Sequence, residues 1–173
     1  MRTLQIIVLG VIAAVVYGIL HDQVTARVCL EYFTVFHPPV FQTRSPTLLA
    51  LGWGVIATWW VGLPLGTLLA IAARAGTRSP LYTARELVWP VTYLMLAVGL
   101  CALVAGVSGW WLTKKGHVDV PEWVAVGLPS TRHAVFMADA WAHETSYTAG
   151  EVGGVLLCVI TWLRRRPTSR ESA

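Results

Sequence analysis

The chain has 173 residues, of which 55% are hydrophobic and only 13% charged, and its formal net charge at pH 7 is +4. This composition and a mean hydropathy of +0.61 exclude an ordinary soluble domain and predict an integral membrane protein. In such a protein the positive charge indicates anchoring at a cytoplasmic membrane surface, and no nucleic-acid partner is expected.

Four apolar runs each approach the ~20 residues that a helix needs to cross ~30 Å of hydrocarbon. They cover residues 4–20, 48–73, 91–112 and 147–163. These runs predict an all-α, polytopic membrane protein with a single domain over residues 1–173. Its four transmembrane helices form a bundle, and the first and last helices extend outside the membrane. Residues 164–173 are predicted to form a disordered cytoplasmic tail.

The first span carries a stripe of small residues that continues outward into polar residues. The small residues recur every four positions, at Gly10, Ala14 and Gly18. At 100° of rotation per residue, His21 and Thr25 continue the same helical face. Because no strong helix breaker occurs before Pro38, the helix is expected to run for about 30 residues and to project beyond the bilayer.

The middle of the chain supplies two spans and two loops. Pro64 lies inside the second span and predicts a kink there. Residues 74–88 form a short basic loop, and Pro90 suits the first turn of the third span. The loop over residues 113–130 has an apolar centre, which is expected to lie against the membrane interface or to cap the bundle.

The last helix is predicted to start at a cap on Ser130 or Thr131 and to continue unbroken through the fourth span. One stripe of this helix, about 80° wide, carries Asp139, His143, Tyr147, Gly150 and Gly154. Pairs of small residues four apart let helices approach closely in lipid. We therefore expect this stripe to pack against the small-residue stripe of the first helix, which would place His21 beside His143.

The distribution of basic residues predicts that both termini are cytoplasmic. In this orientation the cytoplasmic side receives Arg2, Arg74, Arg78, Arg85, Arg164, Arg165, Arg166 and Arg170, and the outer side receives Arg27, Arg44, Lys114, Lys115 and Arg132. The excess of basic residues inside follows the positive-inside rule. The protein is then expected in a cytoplasmic membrane, such as the bacterial inner membrane, with all its histidines outside.

The polar faces of the first and last helices predict either a metal site or a polar region that is only solvated or hydrogen-bonded. The ligands of the metal site are expected to be His21, Asp139 and His143, with Asp22 and Glu31 as candidate further ligands. Imidazoles and carboxylates together suit a divalent transition metal such as Zn²⁺ or Fe²⁺, and bundles build such sites from facing helices. Thr25 and Tyr147 are predicted to hold an imidazole in place through hydrogen bonds.

Other features limit the chemistry. Glu151 is predicted to lie about one turn inside the fourth span, where an acid is a candidate for proton or cation handling. No histidine lies within a predicted span, so no haem is expected between the membrane helices. No nucleotide is expected either, because the sequence contains neither a Walker A loop nor a dinucleotide-binding glycine motif.

Two classes of function remain open from the sequence. In the first, the metal site at the outer membrane face performs redox or hydrolytic chemistry or handles metal ions, and whether the protein is an enzyme stays open. In the second, the protein is a non-catalytic accessory or structural subunit that packs against lipid, other membrane subunits or copies of itself. Few polar groups lie at mid-membrane, which argues against a transporter.

Overall fold

The computed structural model describes residues 1–167, and helices dominate them. In chain order the elements are α1 (Arg2–Val28), α2 (Leu30–Thr34), α3 (Pro46–Ile56), α4 (Trp59–Arg74), β1 (Arg78–Ser79), α5 (Ala84–Lys114), α6 (Glu122–Gly127), α7 (Ser130–Arg164) and β2 (Arg166–Pro167). The two short strands pair antiparallel, with Arg78 opposite Pro167.

Four helical segments of the described chain are long and apolar enough to cross a membrane. They are Arg2–Val28, Pro46–Arg74, Ala84–Lys114 and Ser130–Arg164. The prediction of an all-α bundle of four membrane helices is therefore confirmed. Large apolar side chains such as Leu4, Leu100 and Leu163 remain exposed on the outside of the bundle, where they contact membrane lipid.

The second span is interrupted between α3 and α4, at Ala57 and Thr58, whereas Pro64, where a kink was predicted, lies within α4. The hydroxyl of Thr58 donates a hydrogen bond to the carbonyl of Gly54, four residues earlier. A threonine that bonds back in this way competes with the helical ladder and bends the helix.

Glycines bring α1 into close contact with the second span. A Cβ on Gly10 would lie 2.6 Å from the Cα of Gly66, and one on Gly62 would lie 2.7 Å from the carbonyl oxygen of Gly10. The small-residue stripe of α1 therefore packs on α4, and its predicted packing against the last helix is wrong. The reason is that α4 presents glycines of its own, so these two backbones approach more closely than a bulkier face would allow.

The last helix uses other residues for its contacts. It packs mainly against α5, and its contact with α1 is slight. A Cβ on Gly150 would meet nothing within 4 Å, and one on Gly154 would meet the side chain of Leu65 in α4 at 3.0 Å. The close approach to α5 occurs at Gly106, where a Cβ would lie 3.1 Å from the carbonyl oxygen of Ala138. Gly150 is thus not a helix contact.

The chain outside the first span folds back over the bundle. The helix ends at Val28, because Cys29 is extended, with φ −140° and ψ 91°, before the short α2 begins. The helix expected to run unbroken for about 30 residues is therefore divided at Cys29 into α1, of 27 residues, and the short α2. Burial favours the break, since Cys29 is fully buried and packs with residues of α6 and α7 such as Val124 and Phe136. We call the outer ends of α1 and α7, together with α2 and α6, the headpiece.

The opposite end of the bundle is closed by Arg165. This side chain is fully buried and donates hydrogen bonds to three backbone carbonyls, from Nη1 to Ala72 at 2.9 Å, from Nε to Pro80 at 3.0 Å and from Nη2 to Arg78 at 2.6 Å. The tail predicted to be disordered from residue 164 is therefore ordered through β2, because these bonds and the strand pairing hold it. Residues 168–173 of that prediction lie outside the described residues.

Candidate metal centre

Three side chains from α1 and α7 converge in the headpiece. His21 and Asp22 come from the outer part of α1, and His143 comes from α7. Each offers one ligand atom, and the three atoms lie within 4.8 Å of one another. The side chains of His143 and Asp22 are 12% and 8% exposed, so the group is shielded from bulk solvent. The cluster could hold a metal ion.

The hydrogen bonds of His143 determine which ring nitrogen is free. Its Nδ1 lies 2.9 Å from the backbone carbonyl oxygen of Asp139, which can only accept, so Nδ1 donates. A neutral His143 then turns the lone pair of Nε2 toward Oδ1 of Asp22, at 3.3 Å. Two acceptors would face each other at this distance. A positive charge between them, either a proton or a metal ion, removes the repulsion.

The ring of His21 is positioned by its neighbours on both sides. Its centroid lies 4.6 Å from that of His143, and the two rings are nearly perpendicular, at 82°. Nδ1 lies 3.5 Å from the hydroxyl of Ser146, which in turn is 2.8 Å from the hydroxyl of Tyr17. Nε2 is buried and has no hydrogen-bond partner among the described residues. The expected convergence of His21 and His143 is therefore observed, although not through the predicted helix packing.

His37 lies over the same site, where the sequence predicted no ligand. Its ring centroid is 4.8 Å from that of Tyr32 and 4.7 Å from that of Trp53, and its Nδ1 donates to the carbonyl of Tyr32 at 2.7 Å. Burial lowers the pKa of the His37 imidazole, which favours the neutral form that binds metals. No helical spacing could have found it, because the break at Cys29 separates His37 from the periodicity of α1.

Asp139 lies one turn outward of His143 on α7. The residue is 1% exposed, and both carboxylate oxygens are buried without a hydrogen-bond partner in the described chain. Its Oδ1 is 3.8 Å from Nδ1 of His143, on the far side of that ring from Asp22. An ionised carboxylate without partners is costly to bury, so Asp139 requires a proton or a cation. The cluster of three ligand atoms therefore includes Asp22, whereas Asp139, the predicted ligand, is not part of it.

The other candidate ligands make different contacts. Both oxygens of Glu31 accept from Arg132, at 3.1 Å from Nε and 2.7 Å from Nη2. These bonds lower the pKa of the Glu31 carboxyl and join α2 to the first turn of α7. Cys29 is a poor ligand, since burial raises the pKa of its thiol to about 11 and keeps it protonated. Glu151 is exposed on the outer surface of the bundle.

The two residues predicted to hold an imidazole form hydrogen bonds to backbone carbonyls. Thr25 donates to His21 at 3.3 Å, and Tyr147 donates to Ala57 at 3.3 Å. The groups beside the imidazole nitrogens are the carbonyl of Asp139 and the hydroxyl of Ser146. Ser146 lies one position before the predicted stripe, and the sequence analysis did not identify it.

Bond lengths test whether a metal fits the cluster. Metal–nitrogen bonds of about 2.0–2.1 Å place neighbouring ligand atoms roughly 3–4 Å apart. The 3.3 Å between His143 and Asp22 meets this condition. The largest separation in the group, up to 4.8 Å, closes with an inward shift of about 1 Å. Two imidazoles and one carboxylate also leave coordination positions free for a substrate.

Comparison with known proteins adds no family to this description. No protein-family model matches the chain, and neither the curated proteins nor the solved structures contain a significant match. Any function must therefore be argued from the site itself, since a four-helix bundle serves many unrelated functions.

Proposed function

We propose that this protein binds Fe²⁺ through His21, Asp22 and His143 and uses it for redox chemistry at the outer face of a cytoplasmic membrane. One observation carries the proposal. The free nitrogen of His143 and an oxygen of Asp22 are both acceptors and lie 3.3 Å apart, while a buried nitrogen of His21 has no partner. A metal ion satisfies all three groups together.

The surroundings of the cluster favour redox chemistry over hydrolysis. Hydrolysis requires ready access of water, whereas the cluster is enclosed by the rings of Tyr32, Phe33 and His37. Tyr32 stacks on His143 with the ring centroids 4.5 Å apart. Two histidines and one carboxylate with open positions form the ligand set of non-haem Fe²⁺ oxygenases, which makes iron the preferred metal.

The choice of carboxylate ligand gives a direct test. In Asp22→Asn we expect the affinity for Fe²⁺ or Zn²⁺ to fall by more than about 100-fold, because loss of a ligand should exceed the 10–100-fold cost of losing an outer partner. Asp139→Asn should stay within about tenfold of the wild type. Metal titration of the chelator-stripped proteins in detergent, with elemental analysis of the wild type, measures both.

Two results of this experiment would contradict the proposed ligand set. Loss of metal in Asp139→Asn but not in Asp22→Asn would restore Asp139 as the ligand. If the wild type binds no metal after metal-supplemented growth and titration, Asp22 and His143 form only a hydrogen-bonded pair, and the proposal is wrong.

We further propose that the headpiece is extracytoplasmic, as the excess of arginines near the opposite end of the bundle indicates. Single cysteines at exposed positions test this, in a background without the native cysteines. We expect Arg85→Cys, in the first turn of α5, to react with a membrane-impermeant maleimide only after the cells are opened. His117→Cys, in the loop after α5, should react in intact cells. The reverse pattern would place the metal site in the cytoplasm.

A further inference from the structure

A narrow apolar cavity runs from the metal cluster into the membrane part of the bundle. Its volume is about 150 Å³. Asp22, His37 and His143 line its outer end, and the lining continues inward past Gly62 and Gly150 to Leu69 and Leu157. Between Asp22 and Gly10, both of which line it, α1 rises roughly 18 Å, so the cavity extends deep into the span.

The size and lining of this cavity restrict what it can hold. Below the polar cluster most lining groups are aliphatic side chains or glycines, such as Val61, Leu65 and Val98. An apolar cavity of about this volume in another protein stays dry and binds benzene or xenon, because water finds no hydrogen-bond partners in it. A diatomic gas fits easily in a space of this volume.

We propose that this cavity is a binding site for a small uncharged apolar molecule of the dioxygen class, held next to the metal cluster. The choice of dioxygen rests on the proposed redox function, since an Fe²⁺ site with open positions can use it. The proposal that an apolar gas binds here rests only on the volume and the apolar lining of the cavity. The rings of Tyr32 and Phe33 also line the outer end of the cavity. Because the cavity runs inward from the metal cluster, a molecule bound in it lies between the membrane interior and the cluster.

Two glycines provide a matched pair of substitutions. Gly150 lines the cavity, and a Cβ there meets nothing within 4 Å, so Gly150→Leu fills the cavity without displacing a helix. Gly99 does not line this cavity but lies in a neighbouring groove between α1 and α5, where a Cβ meets only the ring of Tyr17, at 3.7 Å. Gly99→Leu adds the same side chain outside the cavity.

Xenon is the probe, and the readout is the methyl NMR spectrum of the full chain in lipid nanodiscs. In the wild type, the methyl shifts of Val61, Leu65 and Val98 should saturate with xenon pressure, while those of lipid-exposed Leu4 and Leu163 change linearly. We expect Gly150→Leu to reduce the saturable shifts at least fivefold and Gly99→Leu to leave them unchanged. Dissolved dioxygen should broaden the same three residues, and xenon should reverse the broadening.

Several outcomes would overturn the inference. Linear shifts at every methyl in the wild type, or equal saturable shifts in wild type and Gly150→Leu, show that the cavity binds no gas. Broadening by dioxygen that xenon does not reverse shows that dioxygen does not occupy the cavity. Because xenon needs no metal, the chelator-stripped wild type should keep the saturable shifts even though its proposed metal site is empty. Failure of metal binding and failure of gas binding are therefore distinguishable.

Discussion

In His143→Ala the protein should lose its metal almost completely, with content falling from about one ion per chain to background. His143 is the central residue of the cluster, since its Nε2 faces Asp22 and its ring lies against that of His21. Removing it leaves only two ligands, both on α1, and loss of a ligand should exceed the 10–100-fold cost of losing an outer partner. Elemental analysis of protein purified from metal-supplemented cells measures the effect.

His117→Ala is the matched control for this loss. His117 is exposed in the loop after α5, and its nearest aromatic neighbour is Trp111, at 6.1 Å between ring centroids. Its removal should leave the metal content unchanged. Equal metal content in the two alanine variants would show that the bound ion is not held by the cluster. Thermal unfolding of both variants checks that any loss of metal does not follow from loss of the fold.

The largest effect on stability is expected from Gly62→Leu. A Cβ at this position would lie 2.7 Å from the carbonyl oxygen of Gly10 and 2.9 Å from the Cα of Val11, and neither backbone atom can move aside alone. The substitution must push α1 away from α4, at a cost of about 3 kcal/mol or more. Because α1 carries two of the three proposed ligands, metal binding should weaken as well.

Gly99→Leu is the control for this substitution, because its added Cβ makes only an ordinary contact with Tyr17. The measurement is the midpoint of unfolding in a denaturing detergent, followed by the helix signal in circular dichroism. We expect Gly62→Leu to unfold well before the wild type and Gly99→Leu to unfold close to it. If the two variants were equally stable, the glycine contact between α1 and α4 would not support the bundle.

The sequence was sufficient to predict the spans, because the length of an apolar run reflects directly the thickness of hydrocarbon that it must cross. It also placed His21 beside His143, since equal rise per residue on two helices matches their depths. The assumed helix contact was nevertheless wrong. Small-residue stripes show which faces approach another helix but not which helix they approach, and α4 offered a better partner for α1.

Several details of the site depend on residues that the helical periodicity of the sequence does not mark. Asp22 is 100° around α1 from His21, so it lies outside the helical stripe that indicated His21 and was predicted only as a further ligand. The turn at Cys29, which brings His37 over the cluster, follows from burial of that residue against α6 and α7, a tertiary effect. Ser146, which lies beside His21, falls just outside the predicted stripe of α7 and was missed.

The two ends of the bundle differ in how freely they can open. At one end the guanidinium of Arg165 ties the end of α7 to the last turn of α4 and to the loop that leads into α5. At the headpiece end α1 and α7 make only slight backbone contact and meet mainly through side chains. Side chains around the histidines can therefore rearrange to admit an ion while the bonds of Arg165 to backbone carbonyls hold the opposite end closed.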